Sequence, residues 1–228
     1  MKRYEILLID LDDTILDFSA AEAVAYGGAL AEFGIEKTQA LLDRYHAVNL
    51  LWWEKLERGE ADRDTILVER HRQLFRELGL EAKPEAFEAA YRRRLGVGHW
   101  FMPGAEEALV RLHSRGFRLF LASNGVSDTQ HGRIDSAGIG PLFEDLFISE
   151  ELGANKPDPA FFELCFARIP GFDREKTLMI GDSLTSDIRG GINAGVDTLW
   201  VNPEGRTAPP DCRPTWEIAS LDQLPEIL

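Results

Sequence analysis

Three aspartates stand at the end of an apolar segment near the start of the chain, in the stretch LLIDLDDTIL at residues 7–16. Asp10 and Asp12 are two positions apart, so at a strand end their side chains can point the same way. A third carboxylate, Asp182, follows another apolar segment in MIGDSLTSD. Carboxylates this close repel one another unless a cation neutralises them, and Mg²⁺ binds such oxygens while leaving positions for water and a phosphate. The sequence therefore predicts a Mg²⁺ site held by Asp10, Asp12 and Asp182.

Other polar residues that follow apolar segments supply what a phosphoryl group requires. Lys156 offers a fixed cation, and Ser123 and Thr14 offer hydrogen-bond donors. No Ser-His-Asp arrangement is visible and both cysteines lie outside this set, so the expected nucleophile is a carboxylate. Asp10 is predicted to attack phosphorus and form an aspartyl phosphate. Asp12 is predicted to protonate the leaving oxygen and later to activate water.

Five short apolar segments are predicted to be the strands that position these residues. They are continuously apolar rather than alternating, which is typical of strands covered on both faces. Helical patterns lie between them, and the alternation of strand and helix predicts an α/β fold with a Rossmann-like parallel sheet as its core. The predicted strands are residues 4–9, 118–122, 146–149, 177–180 and 197–201.

One long interval breaks this alternation. The pattern over residues 18–99 predicts several consecutive helices, separated by Gly or Pro. The chain leaves the sheet after its first strand and returns before its second, so both connections lie at the carboxyl edge, where parallel α/β folds bind ligands. The pattern predicts a helical cap domain at 18–99, inserted into a catalytic core of residues 1–17 and 100–228. Such a cap is expected to close over the site and exclude water.

Composition restricts the partners of the chain. A net charge of −14, without clustered Lys and Arg beside aromatic residues, disfavours long nucleic acid. No apolar segment approaches the roughly 18 residues of a membrane span, and the apolar run near the N-terminus ends in carboxylates, unlike an export signal. The two cysteines, Cys165 and Cys212, suggest neither a disulfide framework nor a zinc site. We therefore expect a cytoplasmic monomer or homodimer that acts on a small phosphorylated metabolite.

Four motifs resemble, in order, those of the haloacid dehalogenase superfamily, in which a cap is inserted between the first and second motif. The motifs are DLDDT at 10–14, SN at 123–124, KPDP at 156–159 and GDSLTSD at 181–187. The resemblance covers nearly the whole chain. Dehalogenases of this superfamily lack a carboxylate at the position of Asp12, because no leaving oxygen needs a proton, so the resemblance implies a phosphatase.

The resemblance also implies roles for individual residues. Asp10 matches the nucleophile and metal ligand, and Asp12 matches the acid/base residue whose backbone carbonyl also binds the metal. Thr14 matches a residue that supports the loop, and Asp182 matches the third metal ligand. Asp187 matches an acidic residue that supports the metal site or orients the lysine, with capping of the following helix as the alternative. The implied phosphate-binding residues are Ser123, Asn124 and Lys156.

A narrower resemblance concerns the substrate. Trp200, Asn202 and the segment SLDQL resemble the bacterial pyrimidine 5′-nucleotidases, which implies a nucleoside monophosphate as substrate. The alternatives are a phosphosugar phosphatase, a phosphoglucomutase-like phosphoryl transferase, and a non-catalytic binding protein on the same fold. Core packing is the alternative role for the aromatic residues among the substrate-lining candidates. These candidates are Phe18, Asn49 and Trp52.

Overall fold

The computed structural model describes residues 4–228, which form two compact units. One unit combines the chain up to Phe18 with His99–Leu228, and the other is Ser19–Gly98. The first unit contains the sheet, and we call it the sheet unit. The second contains only helices and turns, and we call it the helical unit. The segment predicted to be a cap, 18–99, includes the helical unit.

Six parallel strands form the sheet within residues 4–228. They are β1 (Ile6–Ile9), β2 (Arg118–Ser123), β3 (Asp145–Ile148), β4 (Thr177–Gly181), β5 (Asp197–Val201) and β6 (Trp216–Ile218). Their order across the sheet is β3-β2-β1-β4-β5-β6, so the predicted α/β class with a Rossmann-like parallel sheet is confirmed. The sequence does not predict β6, because this strand has only three residues and the exposed Glu217 at its centre interrupts any continuous apolar run.

The helices are numbered in chain order. Those from Phe18 to Leu95 are α1 (Phe18–Glu32), α2 (Gln39–Glu57), α3 (Arg63–Leu78) and α4 (Pro84–Leu95). Those from Ala105 onward, in the sheet unit, are α5 (Ala105–Ser114), α6 (Ser127–Ala137), α7 (Ser149–Leu152), α8 (Pro159–Arg168) and α9 (Arg189–Ala194). Side-chain oxygens of Thr38 and Asp62 cap the starts of α2 and α3, as expected for these residue types. None of the described helices has the length and apolar character needed to cross a bilayer.

The central strand β1 is buried on both faces of the sheet. Leu7 and Ile9 belong to an apolar cluster that includes residues of α5, and Ile6 and Leu8 belong to a second cluster that includes residues of α8. None of the four side chains is more than 2% exposed. Burial of each such side chain contributes about 1.5–3 kcal/mol, and burial on both faces explains why β1 is continuously apolar.

A buried polar network joins the helices of the helical unit. Arg70 donates from Nη2 to Glu88 Oε2 at 2.7 Å and from Nη1 to Asn49 Oδ1 at 2.8 Å. Asn49 Nδ2 donates to Glu22 Oε1 at 2.9 Å, and His71 Nε2 lies 2.6 Å from Glu88 Oε2. Burial lowers the pKa of His71 to about 4, so the neutral ring donates its proton to Glu88. The network therefore links α1, α2, α3 and α4 through charge-assisted hydrogen bonds.

Replacement of Glu88 by Ala is expected to destabilise the helical unit strongly. The variant leaves the buried guanidinium of Arg70 without its carboxylate, a loss that costs about 3–5 kcal/mol. Glu32→Ala is the matched control, because Glu32 is a partly exposed partner of Arg93 and Arg94 and its loss should cost less than about 1 kcal/mol. Thermal unfolding measures both effects. A loss of stability in Glu88→Ala as small as that in Glu32→Ala would show that the buried network contributes little.

Candidate active site

The register of the central strands brings predicted site residues to one edge of the sheet. β1 pairs in parallel with β2 on one side and with β4 on the other. Asp10 follows β1 directly, and its backbone N–H donates to Ile180 O at 2.9 Å. Ser123 is the last residue of β2, and Asp182 comes directly after β4. These three residues therefore share the carboxyl edge of the sheet, as the strand pattern predicts.

Lys156 is a buried cation at this edge. Its Nζ donates to Asp10 Oδ1 at 2.6 Å, to Asp187 Oδ1 at 2.7 Å and to Ala122 O at 2.6 Å, so three acceptors match its three protons. The side chain is 1% exposed. Burial by itself lowers the pKa of Lys156, but Asp10 and Asp187 outweigh burial and hold that pKa above its ordinary range. Lys156 is thus a permanent positive charge fixed against Asp10.

Three carboxylates cluster beside this lysine. Asp10, Asp182 and Asp187 offer oxygen atoms that lie within 4.8 Å of one another. Burial raises the pKa of Asp10 to about 8 against the attraction of Lys156, with repulsion from Asp187 adding to the rise. Burial and the neighbouring carboxylates raise the pKa of Asp182 well above its ordinary range. One ammonium group does not neutralise three carboxylates, and this all-oxygen donor set fits a hard divalent cation such as Mg²⁺.

Asp187 already uses both oxygens within the protein. Oδ1 accepts from Lys156, and Oδ2 accepts from the backbone N–H of Ser183 at 3.1 Å. A Cβ atom at residue 181 would overlap Asp187 Oδ2, so this position of the carboxylate requires a glycine there. The residue that caps the following turn, Leu184–Ile188, is Ser183. Because both Asp187 oxygens have partners within the protein, Asp10 and Asp182 are the carboxylates more available to a cation, and the supporting role of Asp187 stays a prediction.

Asp12 has different partners, which come from α6. Gln130 Nε2 donates to Asp12 Oδ2 at 2.7 Å, and Arg133 Nη1 donates to Asp12 Oδ1. The Asp12 side chain is 30% exposed, whereas Arg133 is fully buried. The side chain of Asp12 is therefore outside the cluster of three carboxylates, and the assignment of its backbone carbonyl as a metal ligand stays a prediction.

The sequence does not single out Gln130 and Arg133 as site residues. The available signal is their position on α6, where a spacing of three or four residues aligns them with Ile134 and with Val126 just before the helix, so that all four share one helix face. The outer two are apolar and buried, and the inner two are polar and at most 1% exposed. Polar residues on a buried face indicate internal partners without identifying them.

Three further predicted residues surround this site. Asn124 holds the backbone of Lys156, since its Nδ2 donates to Lys156 O at 2.9 Å and its Oδ1 accepts from Lys156 N at 2.8 Å. Ser123 Oγ accepts from Gly125 N at 3.0 Å and is 1% exposed as a residue. Thr14 is fully buried, and its Oγ1 has no hydrogen-bond partner in the described part of the chain. The phosphate-binding roles of Ser123, Asn124 and Lys156 stay predictions.

The three candidates for substrate lining do not belong to one unit. Phe18 is in the sheet unit, where Arg133 Cζ lies 5.7 Å from the centroid of its ring. Asn49 and Trp52 are in the helical unit. Asn49 belongs to the buried network there, and Trp52 Nε1 donates to Gln73 Oε1 at 2.9 Å. Contact of all three with a substrate stays a prediction.

Comparison with known proteins identifies similar sequences over the full length of the chain. Residues 4–195 match the sequence profile of the haloacid dehalogenase-like hydrolases. The HAD-hydrolase YfnB of Bacillus subtilis is 43% identical over 228 residues, which are 100% of this chain and 97% of that protein. The pyrimidine 5′-nucleotidase PynA of Streptococcus pneumoniae is 40% identical over 225 residues, which are 99% and 95% of the two chains. The pyrimidine 5′-nucleotidase YjjG of Escherichia coli is 28% identical, with 99% and 98% covered.

Solved structures show the same extent of similarity. A crystal structure of YfnB from Bacillus subtilis, bound to magnesium, has a TM-score of 0.95 to this chain at 43% identity. The match covers 100% of this chain and 99% of that one. The crystal structure of a dehalogenase has a TM-score of 0.78 at 20% identity, covering 100% and 98%, which indicates a shared fold.

Proposed function

Because this chain belongs to the haloacid dehalogenase-like hydrolases and is a phosphatase of that family, we propose that it hydrolyses nucleoside 5′-monophosphates in a Mg²⁺-dependent reaction. The observation that carries the proposal is the buried ion pair of Lys156 with Asp10 at 2.6 Å, beside the oxygens of Asp182. The nucleotide substrate is supported by the similarity to PynA and YjjG. We further propose that 18–99 is a cap domain and that 1–17 and 100–228 are the catalytic core.

Asp10 is the proposed nucleophile of the first step. A carboxylate oxygen of Asp10 forms a bond to phosphorus while the bond between phosphorus and the ester oxygen breaks. The electron pair of that bond goes to the ester oxygen, which takes a proton from Asp12. Lys156 offsets the negative charge as the carboxylate and the phosphate approach each other. The products of this step are an aspartyl phosphate and the free nucleoside.

Water completes the second step. Asp12, now ionised, accepts a proton from a water molecule as the water oxygen bonds to phosphorus, and the bond between phosphorus and Asp10 breaks. Inorganic phosphate leaves, and Asp10 and Asp12 return to their initial states. A bound Mg²⁺, held by the Asp10 and Asp182 carboxylates and the Asp12 carbonyl, would offset the charge of the carboxylates and the phosphate.

A substrate panel tests this proposal. Phosphate release is measured from uridine, thymidine, cytidine and adenosine 5′-monophosphates, from glucose 6-phosphate and from p-nitrophenyl phosphate, each with Mg²⁺. Among the metabolites, a nucleoside monophosphate is expected to give the highest kcat/KM. The Asp10→Asn protein, purified in the same way, measures the background of contaminating phosphatases. A preference for the sugar phosphate would contradict the nucleotidase proposal, and no release from any compound would contradict the phosphatase chemistry.

A further inference from the structure

Two residues of α6 hold the carboxylate of Asp12 from one side. Gln130 and Arg133 are three positions apart, so their side chains lie next to each other on the helix. Gln130 Nε2 donates to Asp12 Oδ2 at 2.7 Å, and Arg133 Nη1 donates to Asp12 Oδ1. Because each donor takes a different oxygen, rotation of the carboxylate breaks at least one bond. Neither donor residue is more than 1% exposed, so water competes little for these bonds.

Gln130 also determines the direction of the Ser123 hydroxyl. Ser123 Oγ accepts from Gln130 Nε2 at 2.7 Å and from Gly125 N at 3.0 Å. A hydroxyl has two lone pairs and one proton, so two donors leave it only the proton with which to form a further bond. A phosphate oxygen of the substrate is an acceptor of the required kind. Gln130 thus connects Asp12, the proposed acid/base residue, to Ser123, a proposed hydrogen-bond donor to the phosphate.

We propose that Gln130 and Arg133 are positioning residues for proton transfer to the leaving group, acting through Asp12. The inference rests on the proposed function, in which Asp12 gives its proton to the ester oxygen. Each oxygen of Asp12 has a second lone pair, so it can carry that proton while the anchoring bonds persist. When the proton moves to the ester oxygen, the guanidinium of Arg133 compensates the carboxylate that remains.

The test compares two leaving groups. p-Nitrophenolate leaves without a proton, whereas the 5′-oxygen of uridine 5′-monophosphate requires one. The parameter kcat/KM covers the steps up to departure of the leaving group, so the later attack of water does not enter it. Arg133→Met should lower kcat/KM for the nucleotide roughly 10- to 100-fold and much less for p-nitrophenyl phosphate. Gln130→Met also frees the Ser123 hydroxyl, so it should lower both values, and the nucleotide value by a further factor of about this size. A purely structural role would reduce both values alike.

Further variants make the comparison specific. We define the ratio as kcat/KM for p-nitrophenyl phosphate divided by kcat/KM for the nucleotide. Asp12→Asn should raise this ratio further, because it removes the proton donor itself. Ser123→Ala should lower both values equally, because both substrates carry the same phosphate. A Cβ atom at Gly125 would overlap the Gln130 amide, so Gly125→Ala displaces Gln130 without removing a polar group and should also raise the ratio. Arg133→Lys, which keeps a charged donor, should restore most of the nucleotide activity lost in Arg133→Met.

The outcomes separate this inference from the proposed function. An unchanged ratio in Arg133→Met, Gln130→Met and Gly125→Ala, together with a raised ratio in Asp12→Asn, would overturn the positioning role and leave the proposed function standing. An unchanged ratio in Asp12→Asn would overturn the inference together with the acid role of Asp12, while the substrate panel would still decide whether the chain is a nucleotidase. If Arg133→Met does not fold, Gln130→Met and Gly125→Ala decide the outcome.

Discussion

Replacement of Asp10 by Asn is expected to reduce turnover on the order of 10⁴-fold or more, as for the loss of a nucleophile in other enzymes. The amide lacks the carboxylate charge that attacks phosphorus, so no aspartyl phosphate forms. The fold should persist, because the amide oxygen can still accept from Lys156 Nζ, and Asp187 and Ala122 O retain their bonds to the same ammonium. The variant therefore removes the chemistry and keeps the site.

Two measurements check this prediction. Rapid quenching with labelled substrate should trap a phosphorylated protein from the wild type and none from Asp10→Asn, and thermal unfolding should show similar midpoints. Asp13→Asn is the matched control, because Asp13 has φ 56° and its Oδ1 accepts from Phe18 N, both of which Asn supports. This control should keep most of the activity. Substantial turnover by Asp10→Asn would remove Asp10 as nucleophile.

The sheet edge could be predicted because its residues follow strands directly. Continuously apolar segments identify strands buried on both faces, and parallel strands bring the residues after them to one edge. Asp10, Ser123 and Asp182 all follow from this rule. The order of the four motifs predicts the superfamily, which the match over residues 4–195 confirms. Strand β6 fails the same rule, because its three residues, with an exposed glutamate at the centre, form no continuous apolar run.

Residues that reach the site from helices could not be predicted in this way. Gln130 and Arg133 meet Asp12 only because α6 packs with that face inward, and the partner of a buried polar side chain depends on tertiary packing. Asn49 in the helical unit is a similar case, since the sequence makes it a candidate for substrate lining but does not show that its amide lies in a buried network with Arg70. Local patterns show which face is buried, but they do not show what lies opposite.

Removal of divalent cations is the second change with a large expected effect. Chelation with EDTA should reduce hydrolysis on the order of 10³-fold, since compensation of charge by a metal contributes several kcal/mol to a transition state. Addition of Mg²⁺ should restore the rate. Asp182→Asn should show the same loss without restoration, because the cation would lack one of its two available carboxylates. An unchanged rate in EDTA would remove the cation from the proposal.

The stabilising effect of Mg²⁺ should also depend on pH, in one direction. The pKa of Asp10 rises from 3.8 to about 8 in the folded protein, and that of Asp182 also rises. At pH values between the unfolded and the folded pKa, the folded, cation-free protein binds more protons than the unfolded chain, so its stability falls as pH rises. Mg²⁺ displaces these protons, so it should raise the unfolding midpoint more near pH 8 than near pH 6, by at most about 1.4 kcal/mol per pH unit for each proton. Asp182→Asn should raise the unfolding midpoint of the cation-free protein near pH 8 and abolish the increase that Mg²⁺ causes. An increase by Mg²⁺ that does not depend on pH would contradict binding at the cluster of Asp10 and Asp182.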